Sequence, residues 1–490
     1  MIEIICTEET YIYNAYHMTK AFYPSAEVTS RIEEKASNYV TVQFEDGEKI
    51  EVTEDEVRFR KGLTHLKHCI DIVLYGLLSR RSERTLAWGT LMGVRPTKLA
   101  MKRLEEGAER DEFIRWFQKE YLVSEKKAEL SWEIALREKA LLDRLDLENG
   151  YSLYVGIPFC PTVCSYCSFS SGALSDWKDR VEDYLDALCR ELQFIAKASK
   201  NKKLNTIYIG GGTPTTLSAE QLERLLTCID VHFSREHLLE YTIEAGRPDS
   251  ISYEKLKVIR DHGVTRISIN PQTMQQKTLD AIGRKHTVEA VKEAFYMARE
   301  LGFDNINMDL IAGLPGETLE DMEDTLRQIE KLSPDNLTVH SLAIKRAAKM
   351  GQKGSKEQQE ILKTREDTGQ MSEIIGQMVE DARSSADRMG LFPYYLYRQK
   401  NIAGNFENVG YAKVDKAGIY NILIMEEKQS IIAAGAGAST KIVLKEPVLM
   451  PGSKKKKMTS LYRQENVKAI DAYIDRVDEM IERKGEWLWR

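Results

Sequence analysis

Three cysteines, Cys160, Cys164 and Cys167, fall within eight positions of a 490-residue chain that has only seven. The spacing C-x3-C-x2-C is too tight for one face of a helix and too uneven for a strand, so the backbone must wrap around whatever the thiols hold. A structural zinc site closes with four ligands. No histidine lies between Cys167 and His232, and Cys189 sits inside an amphipathic helical pattern as a core residue does. Zinc is therefore the weaker of two readings. Iron–sulfur clusters are held by Cys thiolates, normally four to a [4Fe–4S] cluster. A loop that supplies three leaves one iron open to a substrate or cofactor.

Other candidate groups stand at the ends of apolar runs. In GGGTPT, Gly210, Gly211 and Gly212 leave the backbone without side chains, so a ligand can approach its N–H groups. Glu244, in EAGRP, is an acceptor suited to a hydroxyl or a cationic group. To bring such groups together the chain needs elements that end at one edge. SLYVGI, TIYIGG, EYTIEA, RISIN, INMDLIAG and NLTVHSLA read as strands. Between them lie patterns such as RVEDYLDALCRELQFIAKA and LEDMEDTLRQIEKL, apolar at i, i+3, i+4 and i+7. This alternation predicts six parallel strands with crossover helices, which curl toward a barrel. The cysteine loop follows the first run, GGGTPT the second, EAGRP the third, NPQTM the fourth and GLPGE the fifth. All five then gather at the C-terminal edge, where parallel α/β folds build their sites.

Residues before 60 alternate as short strands, with YVTVQFEDGEKIEVT predicting a hairpin at Asp46-Gly47, and residues 60–148 turn helical and charged. We expect an N-terminal α+β accessory domain over 1–148, the β/α domain over 149–400 and a C-terminal α/β extension over 401–490 that closes the site. IKRAAKMGQKGSKEQQEILKTREDTGQ, a lid or a solvated loop, leads into a long helix ending near Met389. The glycine-rich NIAGNFENVGYAK and AAGAGAST are expected to be irregular. LAWGTLMGVRPTKLA could dock against the barrel or simply bury Trp88.

The net charge of −6, from 70 basic and 76 acidic residues well mixed along the chain, argues against nucleic acid as the main partner. The one local basic run is Lys454–Lys457. No run reaches the roughly 18 apolar residues of a membrane span, and the start lacks the features of a secretory signal. A cytoplasmic protein with reduced thiols and no membrane contact is expected.

CPTVCSYC resembles the cluster loop of radical S-adenosylmethionine (SAM) enzymes. In these, SAM chelates the fourth iron and is reductively cleaved to a 5′-deoxyadenosyl radical. Residues 151–345 resemble one branch, the oxygen-independent coproporphyrinogen III oxidase family, through YVGIPFC, IYIGGGTPT, TIEAGRPDS, SINPQTM, AIGRKHT and NMDLIAGLPGET in the family's order. The N-terminal extension and QKNIAGNFENVGYAK resemble its HemZ subgroup. The resemblance implies a partial (β/α)6 radical-SAM barrel, with Cys160, Cys164 and Cys167 holding the cluster. It implies SAM contacts at Tyr154, Tyr166, Gly211, Gly212, Thr213 and Glu244. Gln272, Arg284 and Asp309 match positions that contact a second SAM, and Ala343 matches a further SAM position. The implied reaction belongs to haem biosynthesis: oxidative decarboxylation of two coproporphyrinogen III propionates to vinyls, giving protoporphyrinogen IX. No catalytic residue is assigned.

The implied partners are a tetrapyrrole and an electron donor such as flavodoxin or ferredoxin, with the chain a monomer. Arg247, Arg284, Lys345 and Arg346 are candidate partners of the propionates, and Tyr394, Tyr395 and Tyr397 offer stacking surface. Two departures stand out: Gly156 where many members have His, and Phe169 where members of the best-known subgroup have a fourth Cys. Phe169 is a feature shared with relatives that act as haem chaperones. That alternative has candidate haem ligands in His262, His286 and His340.

Overall fold

The computed structural model describes all residues except 25, 59–64, 94, 170, 346, 353–367, 399–404, 451–457 and 490. Lys454–Lys457, Arg346, most of the segment read as a lid and part of NIAGNFENVGYAK lie outside the described residues.

Near the N-terminus, β1 (Ile2–Cys6), β2 (Val28–Ile32), β3 (Val40–Phe44) and β4 (Lys49–Val52) form a sheet of order β2-β1-β3-β4. β1 and β3 alternate, with Ile2, Ile4, Cys6, Val40, Val42 and Phe44 buried. The β3–β4 hairpin turns at Asp46-Gly47 as expected, Gly47 taking a φ of +86°. Helices Glu9–Phe22 and Leu66–Ser82 close this small core with Met18, Phe22, Leu74 and Leu78. The helices Thr97–Glu105, Arg110–Tyr121 and Glu125–Leu142 contribute instead to the larger core that contains the parallel strands. Trp88, wholly buried, donates from Nε1 to Glu407 Oε2 at 2.7 Å, and Lys127 Nζ lies 2.6 Å from Glu407 Oε1. The tryptophan-marked segment thus both buries its ring and docks against the large sheet at Glu407.

The six expected strands are present as β5 (Gly150–Ile157), β8 (Lys203–Gly211), β9 (Glu240–Gly246), β10 (Arg266–Ile269), β11 (Ile306–Ala312) and β12 (Asn336–Ser341). All run parallel, each beside the next. β6 (Phe159–Cys160) and β7 (Gly172–Ala173) are a two-residue pair that closes the base of the cysteine loop. The strands read as continuous apolar runs because helices such as Val181–Ala198, Val288–Glu300 and Leu319–Leu332 cover them. Four of the covering helices start on a side-chain cap, from Ser218, Ser252, Thr287 and Thr318.

The sheet extends past the six strands. β13 (Phe392–Tyr397) and β14 (Asn408–Ala412) add antiparallel beside β12. β15 (Ser430–Ala434) pairs parallel with β5 and is followed by the antiparallel β16 (Ser439–Leu449) and β17 (Met458–Glu465). The order β13-β14-β12-β11-β10-β9-β8-β5-β15-β16-β17 leaves an open sheet, a partial barrel with no closing pair among the described strands. The long helix ends at Arg388.

Both glycine-rich stretches depart from the expectation of irregular structure. NVGYA is β14, and AAGAGAST runs from the end of β15 into β16. Gly410 sits in a strand because the Tyr395 ring lies over it, where a Cβ would come within 1.9 Å of Cε1. Gly435 and Gly437 turn the chain with φ of +106° and +69°.

Candidate functional site

The C-terminal ends of the parallel strands surround a cavity of about 440 Å3. Every residue expected to hold the cluster or SAM lines it: Cys160, Cys164 and Cys167; Tyr154, Tyr166, Gly211, Gly212 and Thr213; Glu244, Gln272, Arg284, Asp309 and Ala343. They come from seven segments, which only the parallel sheet brings together.

The cysteine loop is held from several sides. Arg247 donates from Nη1 to the Thr162 carbonyl and hydroxyl oxygens, both at 2.8 Å, and that nitrogen is 3.9 Å from Cys164 Sγ. Its other face binds Asp249 at 2.9 and 2.6 Å. Thr213 Oγ1 donates to Cys160 Sγ at 3.5 Å, and Ser165 N to the Ile282 carbonyl at 3.1 Å. Burial pushes the thiols of Cys160 and Cys167 up, so holding them as thiolates calls for positive charge nearby. Among the described residues no three His, Cys, Asp or Glu side chains group tightly enough to grip one metal ion. Three thiols around a loop, each free to bind a different iron, fit a multi-iron cluster better.

The glycine turn works differently from its sequence reading. Gly212 N donates to the Ile157 carbonyl and Thr213 N to the Phe159 carbonyl, each at 2.7 Å, and Gly211 N bonds Glu244. These N–H groups are therefore satisfied within the protein and are not presented to a ligand. The glycines are required because the turn lies against the start of the cysteine loop: a Cβ on Gly212 would be 2.5 Å from Phe159 O, and Gly211 has a φ of +110°.

On the cavity floor Tyr208 donates to Glu244 Oε1 at 2.5 Å. Tyr208 stacks on Tyr420 with centroids 4.4 Å apart, and Tyr154 lies parallel to both. Burial pushes the Glu244 carboxyl up to about 7, the Tyr208 bond opposing and the charge of Asp309 adding to the rise. Asp309 is buried too, which by itself would raise it. The His340 ring, 3.8 Å away, and a hydrogen bond from Asn307 Nδ2 at 2.7 Å outweigh that and hold it below the usual carboxylate range. One site thus holds a carboxyl that titrates near neutrality and one that stays ionised. Gln272 adopts a φ of +66°, uncommon for a non-glycine residue, pinned by N–H donation to the Asp309 carbonyl and by Ile311 N donating back, both at 2.9 Å.

Of the arginines offered as propionate partners, Arg247 is taken up by Asp249 and the cysteine loop. Arg284 donates to the Asn270 carbonyl and bonds Cys164 and Tyr166, with Nε unpartnered among the described atoms. Lys345 lines the cavity, as do Tyr395 and Tyr397, whose rings stack at 6.2 Å. Tyr394 is buried behind them. Of the histidines only His340 lines the cavity. His262 pairs with Asp230 at 2.7 Å and Glu223 at 3.2 Å on the outer helices, and His286 is buried against Arg284.

The sequence reading missed Arg266, Tyr208 and Tyr420. Arg266 is 2% exposed, lines the cavity and has an Nε without a partner among the described atoms. Its signal was available: a charged residue opening a short strand, RISI, whose isoleucines mark it as buried.

Residues 154–329 match the radical SAM superfamily. The chain is 42% identical over 388 residues to the oxygen-independent coproporphyrinogen-III oxidase-like protein HemZ of Bacillus subtilis, covering 78% of this chain and 75% of that protein. It is 40% identical over 194 residues to the heme chaperone HemW of Bacillus subtilis, covering 39% of this chain and 50% of the chaperone. It is 33% identical over 196 residues to the oxygen-independent coproporphyrinogen III oxidase of Salmonella typhimurium, covering 40% and 42%.

Proposed function

The chain belongs to the radical SAM superfamily and, within it, to the family of oxygen-independent coproporphyrinogen III oxidase-like proteins. On that premise we propose that it catalyses the oxidative decarboxylation of coproporphyrinogen III propionates to vinyl groups. The superfamily's cofactors are a [4Fe–4S] cluster and SAM. Together they supply one-electron chemistry able to remove a hydrogen atom from an unactivated carbon.

The observation that carries this reading is the convergence in one cavity of three thiols, a carboxyl pair and a buried arginine with stacked tyrosines. Cys160, Cys164 and Cys167 would hold the cluster. Glu244, titrating near neutrality, can accept a bond from a ribose hydroxyl, while the Tyr154, Tyr208 and Tyr420 rings make a flat wall for an adenine or a pyrrole. Asp309, kept ionised, suits a cationic group such as an α-amine. Lys345 and Arg266, which line the cavity, are the cations left for a propionate. The chain's work is to orient the substrate carbon and keep water out. We further assign residues 149–400 to this chemistry, with 401–490 closing the site and an external flavodoxin-like or ferredoxin-like protein supplying electrons.

A haem-chaperone reading is favoured by one observation, the position of His340 on the cavity wall, 3.8 Å from Asp309 Oδ2. Anaerobic incubation of the cluster-loaded protein with SAM, a reductant and coproporphyrinogen III separates the two. Vinyl products and 5′-deoxyadenosine are expected. Stoichiometric haem binding without vinyl formation would replace the oxidase reading by the chaperone one. Cys164→Ala is expected to lose bound iron and turnover together, and a fully active variant would overturn both.

A further inference from the structure

Beside the main cavity lies a second one of about 300 Å3. The two share Tyr154, Ser168, Phe169 and Gly211, so they adjoin along the cysteine loop. The second opens because residue 156 has no side chain. A Cβ there would make ordinary contact with the Ala434 carbonyl at 3.4 Å and Tyr154 Cε1 at 3.5 Å, and anything longer would enter the space. Phe169 stands at its lip, 71% exposed. The opposite wall is the turn after β15 together with Lys468. The lysine stem lies across Gly437, where a Cβ would touch Lys468 Cγ at 3.6 Å, and among the described residues its ammonium makes no ion pair. Glu465 lines the same wall, so the space suits one carboxylate rather than several.

Resting on the tetrapyrrole reading above, we propose that this second cavity receives one pyrrole ring of the substrate, with Lys468 meeting that ring's propionate and Phe169 covering its face. Room supports it. A cavity of about 440 Å3 that must take SAM against the cysteine loop cannot also enclose a macrocycle bearing eight side chains, and the adjoining space is the neighbour that continues it past Tyr154. Chemistry supports it as well. The pocket wall is apolar at Ile157, Pro158, Phe169 and Ala436, with a single unpaired cation at its edge, which matches an apolar ring carrying one carboxylate.

The test is a titration of coproporphyrin III, the planar and unreactive stand-in for the reduced substrate, into the full chain with its cluster reconstituted, read by porphyrin fluorescence. Lys468→Glu is expected to weaken binding roughly ten-fold, the effect of one lost charge-assisted contact, and Lys468→Arg to bind as the parent does. Gly156→Phe, which fills the space, is expected to weaken binding at least as much. SAM affinity of Lys468→Glu, measured by equilibrium dialysis, is expected to stay at the parent value. If the parent binds coproporphyrin III and both Lys468→Glu and Gly156→Phe bind it equally well, this inference is overturned and the proposed function stands. If the parent itself binds no tetrapyrrole, the proposed function fails and this inference with it.

Discussion

Glu244 shows how a single residue's environment sets what it can do. Its carboxyl is enclosed by Tyr208, the Gly211 backbone and the charge of Asp309, and burial moves it from 4.5 to about 7. Because the folded state holds this proton more tightly than the unfolded chain, its contribution to stability is complete below about pH 4.5 and is lost as pH rises through 7. Without SAM, Glu244→Gln should therefore flatten the decline in urea resistance between pH 5 and pH 8. At pH 8 the variant should exceed the parent by up to about 3 kcal/mol. An unchanged pH profile would mean that Glu244 ionises in the folded protein as it does in water. Glu244 was legible in the sequence because a carboxylate closing an apolar run has nowhere to go but the strand's end. Its partner Tyr208 was not, since a tyrosine within TIYIGG reads as one more apolar strand residue. Tyr420, some two hundred residues along, reaches the same ring only through the fold.

At the scale of elements, the six parallel strands were legible because each apolar run ends in a polar motif and the next helix has its own period and cap. What escaped was the seventh parallel strand, β15, and the strand character of the glycine-rich stretches. There glycine answers to the close approach of Tyr395 or to a tight turn, contacts that a local pattern does not carry. The cysteine loop, similarly, was readable as a metal-binding element, but its brace was not. Arg247, offered as a cation for a propionate, instead ties the Thr162 carbonyl and hydroxyl to Asp249, a forked arrangement lysine cannot copy. Arg247→Ala should lower the iron retained per chain after anaerobic reconstitution and reduce stability by about 1–3 kcal/mol through the bonds left unmade. Arg247→Lys should recover part of the stability but less of the iron, because one ammonium cannot hold both the loop and Asp249. Full iron content in Arg247→Ala would show that the three thiols and the Ser165 contact hold the loop unaided.

Across the whole molecule, the segments before and after the parallel strands are tied to the site by buried polar contacts. On one side Trp88 and Lys127 meet at Glu407, whose backbone carbonyl accepts from Ser341 Oγ at 2.9 Å beside the cavity. On the other, Glu191 of the helix Val181–Ala198 gathers the C-terminal extension: it accepts from Lys484 Nζ at 2.8 Å, Tyr473 OH at 2.6 Å, Asn466 Nδ2 at 2.9 Å and the Gly435 N–H at 2.9 Å. Tyr184 of the same helix accepts from Ala436 N at 3.1 Å and donates to the Gly156 carbonyl at 2.6 Å, so the turn after β15 and the strand leading to the cysteine loop share one support. Lys484 is 1% exposed and Glu191 wholly buried. Lys484→Met would leave the carboxylate buried without its counter-ion, a change that costs about 3–5 kcal/mol when no water can reach the charge. Glu191→Gln in the same background removes that charge while keeping the bonds it accepts through one oxygen. The double variant should therefore be more stable than Lys484→Met alone, a reversal of the usual additivity of damage that urea unfolding would read directly. If Lys484→Met costs less than about 1 kcal/mol, the C-terminal strands are held by the β5–β15 ladder and their apolar contacts, and the ion pair sets only the register of the last helix.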